Sequence, residues 1–270
     1  MTAPLATDTS PIRLALSEGV LRLTLCDAAR RNALSMRMMT ALAAAIAEAG
    51  ADPEVRVVIL AAEGRAFSAG HDLKELTTAR TNPDRGRAFF EETMITCAAL
   101  MTAIVRCPKP VIAEVAGVAT AAGCQLVASC DLAIAAEGAS FATPGVHIGL
   151  FCSTPMVALS RNVSRKHAME MLLTGASIGA ADAARMGLVN KVVPADRLSA
   201  ETEAMARLIA SKSPLTLKIG KEAFYTQAEM GLDEAYALTA RVMVENMLAR
   251  DAEEGISAFI EKRHPTWEGR

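Results

Sequence analysis

Aromatic side chains are scarce: Phe, Trp and Tyr supply 4% of the 270 residues, although 51% of the chain is hydrophobic. A sizeable core must therefore be filled by Ala, Val, Leu, Ile and Met, and the length suits one large domain or a domain with an appendage. The formal charge is only −2, with no cluster of Lys and Arg. That removes the electrostatic basis of an extended nucleic-acid surface. The six cysteines, at 26, 97, 107, 124, 130 and 152, form no CxxC pair. None of their spacings suits zinc or haem, so they are expected to be reduced, mostly buried thiols. The N-terminus MTAPLATDTS has no basic region followed by an apolar one, and residues 115–130, though uncharged, are too few and too rich in Gly and Ala to span a bilayer. GxGxxG and GxxxxGK are missing, which disfavours dinucleotide and nucleoside-triphosphate binding. These absences describe a soluble, intracellular protein. Cytoplasmic residence is the expectation, with neither membrane nor nucleic acid among its partners.

What the chain does contain is organised around residues 112–131, IAEVAGVATAAGCQLVASCD. An apolar strand runs into a Gly/Ala turn and then into a helix. Small residues from Ala116 to Gly123 let backbone approach a ligand closely, and a helix beginning near Ala121 would aim its free N–H groups there. Such a place suits a developing negative charge.

In chain order, residues 12–16 and 21–25, joined at Glu18-Gly19, have the alternation of a half-buried hairpin. A helix over residues 33–49 has Ser35 as a candidate N-cap. Residues 55–61, VRVVILA, make an apolar strand, followed by a loop over 63–73, a polar segment to Pro83 and a helix over 85–105. Strand, helix and strand recur around residues 111–136, which predicts a right-handed crossover and a mixed sheet covered by helices. Two small-residue loops, Ala69-Gly70-His71 and Ala121-Ala122-Gly123, could set two backbone N–H groups around one oxygen, as an oxyanion hole requires. They also suit ordinary loops of a layered α/β domain.

Five segments, RAFSAGHDLKEL, IAEVAGVATAAGCQLVASCDLAIA, FATPGVHIGLF, LLTGASIGAADAARMGLVNKVVP and EGISAFIEKR, occur in an order and spacing that resemble the crotonase superfamily, the enoyl-CoA hydratase/isomerase family. The resemblance runs from about residue 12 to residue 264, and within the family it points to the hydratase-domain-containing branch. It implies an α/β fold: after a tail over residues 1–10, a crotonase spiral of ββα turns over 11–195, then a C-terminal helical trimerisation region over 196–270. It implies an acyl-CoA substrate, no metal or redox cofactor, lyase or isomerase chemistry of fatty acid metabolism, and a homotrimer or dimer of trimers. By position, the N–H groups of His71 and Ala122 would hold the thioester oxygen. Ala69, Gly70, Asp72, Leu73 and Lys74 would border the adenine end, Arg31, Asn32 and Ala33 would line the CoA path, and Phe259 and Lys262 would help cover CoA.

The chain departs from the family at both proton-transfer positions, where glutamates are expected and Gln125 and Gly145 stand. An amide can orient water but cannot accept and return a proton near neutral pH. Losing both acids should remove most hydration, at roughly 10² to 10⁴ in rate per group, and leave thioester polarisation by backbone. Glu114, His147 and Cys152 are the nearest substitutes, with Glu114 better suited to an ion pair and Cys152 to a packed pocket wall. The rival readings are a non-catalytic acyl-CoA-binding protein and an acyl-CoA hydrolase using His147 or Cys152.

Overall fold

A computed structural model describes residues 10–270, so the expected N-terminal tail lies, apart from Ser10, outside the described residues. The chain opens with the antiparallel hairpin β1 (Ile12–Ser17) and β2 (Val20–Leu25), paired from Ile12 with Leu25 to Ser17 with Val20. Its two turn residues, Glu18 and Gly19, both have positive φ, at 50° and 78°. That is the twist a two-residue hairpin turn demands. Ser35 caps α1 (Met36–Ala51) by accepting from the Met38 N–H at 3.1 Å.

From there the chain repeats one scheme, a long strand, a short strand and a helix. The first turn is β3 (Val57–Ala62), β4 (Ala66–Ser68), α2 (Leu73–Ala79) and α3 (Arg87–Arg106). The second is β5 (Val111–Val115), β6 (Val118–Thr120) and α4 (Ala122–Ser129). The third is β7 (Leu132–Ala136), β8 (Ser140–Ala142), α5 (Pro155–Asn162) and α6 (Arg165–Thr174). β9 (Ile178–Gly179), α7 (Ala180–Met186) and β10 (Lys191–Val193) close the spiral. Long strands form one sheet in the order β1-β2-β3-β5-β7-β10, and short ones a second, β4-β6-β8-β9. Within the first sheet β2, β3, β5, β7 and β10 run parallel.

The long strands are continuously apolar because both faces are covered. In β3, Val58 and Leu60 join the main core, while Val57, Ile59 and Ala61 pack on the other side with Ala206. Ala206 belongs to α8 (Leu198–Ala210), which lies across β2, β3, β5 and β7. α8 thus completes the sheet layer, although the boundary at residues 195/196 assigns it to the associating region. The helices with no buried residue begin after it, with α9 (Pro214–Gln227) and α10 (Leu232–Met247), followed by α11 (Arg250–Glu261).

α3 is by length and composition apolar enough to cross a membrane. Here its buried stripe of Cys97, Leu100, Met101 and Ile104 faces the core, and the helix packs on α1 and α4.

α9 is pinned to the core by one group. Lys221 donates from Nζ to Asp131 at 2.7 Å and to the carbonyls of Ile104 and Lys109, while Tyr225 donates to the second Asp131 oxygen at 2.9 Å. Asp131 also accepts from the Val111 N–H at 2.7 Å. At the C-terminus, buried Asp251 accepts from Ser213 Oγ and from the N–H groups of Glu268 and Gly269, folding the last residues back onto the start of α9.

Candidate functional site

The short strands β4 and β6 run side by side and parallel, so the loops that follow them leave the sheet at the same edge. Their contact is close. Thr120 Oγ1 donates to the Ala69 carbonyl at 3.1 Å. A Cβ on Gly70, whose φ is +86°, would lie 3.0 Å from Ala121 Cβ and 3.3 Å from the Ala122 nitrogen, and one on Gly123 would collide with the Ser68 carbonyl. The glycines therefore set the separation of the two loops. Ala121 has φ 51° and ψ −120°, an unusual conformation for alanine. It is held there by its N–H on the Ala142 carbonyl and by its carbonyl on the Gln125 N–H. Strain of this kind costs about 1–3 kcal/mol and persists only where the surroundings enforce it.

This geometry leaves two amides facing away from the framework. Ala122 opens α4, so its N–H has no partner within the helix. Leu34 and His71 form an isolated parallel bridge in which the Leu34 N–H donates to the Gly70 carbonyl at 2.8 Å. In that pattern the N–H of His71 itself faces away from the Leu34 segment. The His71 ring is half-buried, with Nδ1 3.4 Å from the Leu34 carbonyl and Nε2 buried without a hydrogen-bond partner. Burial holds its pKa below the ordinary imidazole value, despite the Leu34 carbonyl, which acts the other way.

The first loop is braced from behind. Asn32, fully buried, donates from Nδ2 to the carbonyls of Glu63 and Ala66, both at 2.8 Å, and accepts at Oδ1 from the Asp27 N–H at 2.9 Å. All of its hydrogen bonds are to backbone, so its side chain clamps the loop. Beside it, buried Ala33 packs and exposed Arg31 accepts from the Ala69 N–H at 3.0 Å. Asp72 also works for the framework, capping α2 through the N–H groups of Lys74 and Glu75. Leu73 and Lys74 are exposed beside it.

At the expected proton-transfer positions, Gln125 is buried in α4 and its Oε1 faces the Cys97 thiol at 3.8 Å. Burial pushes Cys97 up to about 11, so the thiol remains a neutral donor. Gly145 is closely confined. A Cβ there would lie 2.8 Å from the Leu150 carbonyl and 2.9 Å from Cys152 Sγ, so the loop closes over the space a larger side chain needs. Cys152 is buried and its pKa is raised by that burial, which disfavours the thiolate a nucleophile requires. His147 is exposed, with Nε2 over Gly175. Glu114 makes a two-pronged ion pair with Arg22, at 2.8 and 3.0 Å. Phe259, 85% exposed, and Lys262 belong to α11 and its C-cap. No group of three His, Cys, Asp or Glu among the described residues is placed to hold a metal ion.

Residues 15–270 match the family model described as enoyl-CoA hydratase/isomerase. The chain belongs to the enoyl-CoA hydratase/isomerase family. It is 51% identical over 249 residues to the mitochondrial enoyl-CoA hydratase domain-containing protein 3 of Xenopus laevis, spanning 92% of this chain and 83% of the relative. To the Homo sapiens protein of that name it is 49% identical over 250 residues, spanning 93% and 81%. The crystal structure of human enoyl Coenzyme A hydratase domain-containing protein 3 superposes with a TM-score of 0.91 at 47% identity, covering 95% of this chain and all of that one. An enoyl-CoA hydratase structure from Mycobacterium smegmatis also gives 0.91, at 49% identity, with 95% and 98% covered. The crotonase fold expected from the sequence is thus the fold of this family member. The cytoplasmic residence is corrected, because the relatives from Xenopus laevis, Mus musculus, Homo sapiens and Danio rerio are named as mitochondrial. That expectation rested on a missing signal, and an absence of that kind excludes no compartment.

Two features of this family member escaped the sequence reading. Asn32 was expected along the CoA path, but no local pattern marks its bracing of the loop. The run ARTNPDRGR, with Arg80, Arg85 and Arg87, straddles the expected polar segment and the expected start of the helix over 85–105, and no grouping of its arginines was expected.

Proposed function

We propose that this chain binds acyl-CoA thioesters and stabilises the enolate form of the thioester through the backbone N–H groups of His71 and Ala122. The contact of the two loops at Gly70, Ala121 and Gly123 is the observation that carries the reading. Two donors fixed before reaction suit a charge that appears on the carbonyl oxygen only during it, and each is worth roughly 10²–10³ in rate. The reaction is lyase- or isomerase-like and needs no metal or redox cofactor, since a polarised thioester makes the neighbouring C–H acidic by itself. With Gln125 and Gly145 at the proton-transfer positions, ordinary hydration is weak or absent.

CoA would lie along Arg31, Ala69, Gly70, Leu73 and Lys74, of which Arg31, Leu73 and Lys74 are exposed. Phe259 and Lys262 would cover a CoA held by a neighbouring copy, in a homotrimer or dimer of trimers. Helices α9 and α10 support that assembly: they have no buried residue and expose Leu232, Tyr236 and Leu248 at 72%, 70% and 77%. Apolar faces of this kind are costly when left in water.

The test is the infrared carbonyl band of bound crotonoyl-CoA, measured beside its hydration rate. A band shifted to lower frequency on binding, with turnover far below that of a two-glutamate family member, is the expected result. An unshifted band would remove the oxyanion role and leave an acyl-CoA-binding protein without catalysis. Rapid hydration would show that another group moves the protons.

A further inference from the structure

An open surface cavity of about 410 Å³ lies at the junction of α2 and α3, lined by Arg80, Asp84, Arg85, Arg87, Phe90 and Glu91, of which all but Phe90 are exposed. Its volume is within the range of small-molecule sites. Its charge is less balanced than its composition suggests, because both carboxylates are already engaged. Asp84 accepts from the N–H groups of Gly86 and Ala88, at 2.9 Å each, and Glu91 pairs with Arg87 at 3.4 Å. Arg80 and Arg85 have no carboxylate partner among the described residues. The Arg80 guanidinium lies 5.3 Å from the centre of the Phe90 ring, which holds the cation over an apolar floor.

The loop that presents these groups is built rather than loose. Arg85 sits at φ +59°, its N–H on the Asn82 carbonyl at 2.8 Å, and a Cβ on Gly86 would meet the Phe90 ring at 2.8 Å.

Helix α3 joins this cavity to the candidate site. Phe90, Thr93 and Cys97 recur at the spacing of one helix face. Cys97 reaches Gln125 at 3.8 Å, and Thr93 and Cys97 are buried. Seven residues separate Cys97 from Phe90, about 10 Å along the helix axis. An acyl group whose reacting carbons lay at Gln125 and whose chain followed this face would end near Arg80 and Arg85.

We propose that this cavity receives an anionic acyl terminus, so that the substrate class is CoA thioesters of dicarboxylic acids of medium length. The inference rests on the acyl-CoA reading above and adds the identity of the far end. Guanidinium groups without partners bind carboxylates by paired, charge-assisted hydrogen bonds. Phe90 supplies the apolar surface for the last methylenes.

The experiment is calorimetric binding of suberoyl-CoA and octanoyl-CoA, which differ only in the terminal carboxylate, to the full chain and to an Arg80→Gln, Arg85→Gln variant. Both arginines are exposed, so the variant should keep the fold, and a thermal melt checks it. The wild type should prefer suberoyl-CoA by roughly 10- to 100-fold. The variant should lose that preference while binding octanoyl-CoA as before. Equal wild-type affinity for the two thioesters would overturn the anionic terminus and leave the acyl-CoA reading standing. An equal loss for both thioesters in a folded variant would also overturn it, because the arginines would then be serving the CoA phosphates. Binding of neither ligand to the wild type would overturn both readings.

Discussion

Replacing Asn32 by Ala should loosen the His71 loop without touching any ligand. Asn32 makes three hydrogen bonds, to the Asp27 N–H and to the Glu63 and Ala66 carbonyls, and its side chain is wholly buried. Each buried partner left without its bond costs about 1–3 kcal/mol, and water can reach some of them, so the side-chain loss comes to roughly 3–5 kcal/mol. Asn32 also sits at φ 51°, where alanine adds about 1 kcal/mol and glycine adds none. Asn32→Gly should therefore be slightly less damaging than Asn32→Ala. Asn32→Asp should be as damaging as either, since it turns a carboxylate toward two carbonyl oxygens. For a chain of this length about 1 kcal/mol lowers Tm by roughly 2–4 °C, so a drop on the order of 10 °C is expected at fixed protomer concentration. Because the Glu63 and Ala66 carbonyls flank the strand that leads into Ala69 and Gly70, octanoyl-CoA affinity should fall as well. A Tm within 2 °C of wild type for Asn32→Ala would refute the clamp.

Lys221→Met should cost about 3–5 kcal/mol, because it strands Asp131 and two carbonyls, and should be seen in denaturant midpoints; a loss below 1 kcal/mol would mean that α9 is held chiefly by other contacts. Gln125→Glu should raise crotonoyl-CoA hydration measurably, whereas Gly145→Glu should lower stability and raise nothing, since its Cβ meets the Leu150 carbonyl at 2.8 Å. A Gly145→Glu variant as stable as wild type would show that the loop opens readily. The His71 pKa is depressed in the folded chain, so the unfolded chain binds more protons below the ordinary imidazole value near 6.5, and stability falls as pH drops through that window. His71→Asn should flatten that part of the pH–Tm curve while keeping the backbone N–H; an unchanged slope would exclude His71 as its source.

Legibility followed the range of the interactions. Strands β3, β5 and β7 announce themselves because burial on two faces leaves no polar position, and the hairpin because burial on one face makes it alternate. Ala66–Ser68, Val118–Thr120 and Ser140–Ala142 are three residues each, too short to show any period: the first falls inside the expected loop, the second inside the Gly/Ala turn, and the third has no expected element. Yet these strands are what aligns the two candidate loops. The seven residues of α2 were hidden in the same way, and with them the capping role of Asp72. Lys221 and Asp131 are 90 positions apart, and nothing local in α9 separates a buried lysine from a solvated one.

The two halves of the proposed chemistry are built from different materials. Thioester polarisation depends on backbone N–H groups whose position is set by Gly70, Ala121 and Gly123, all locked by sheet pairing and by contacts that tolerate no added carbon. Proton transfer depends on side chains, which can be exchanged with little effect on the frame: Gln125 fits against Cys97 with a neutral contact. Gly145 is confined more tightly, because Cys152 and the Leu150 carbonyl close on the position. Restoring one acid is therefore a local change at residue 125 and a rebuilding of the loop at residue 145. A family member arranged in this way would keep its grip on the thioester while its reaction was free to differ, so substrate selection would rest on groups outside both loops, such as Arg80 and Arg85.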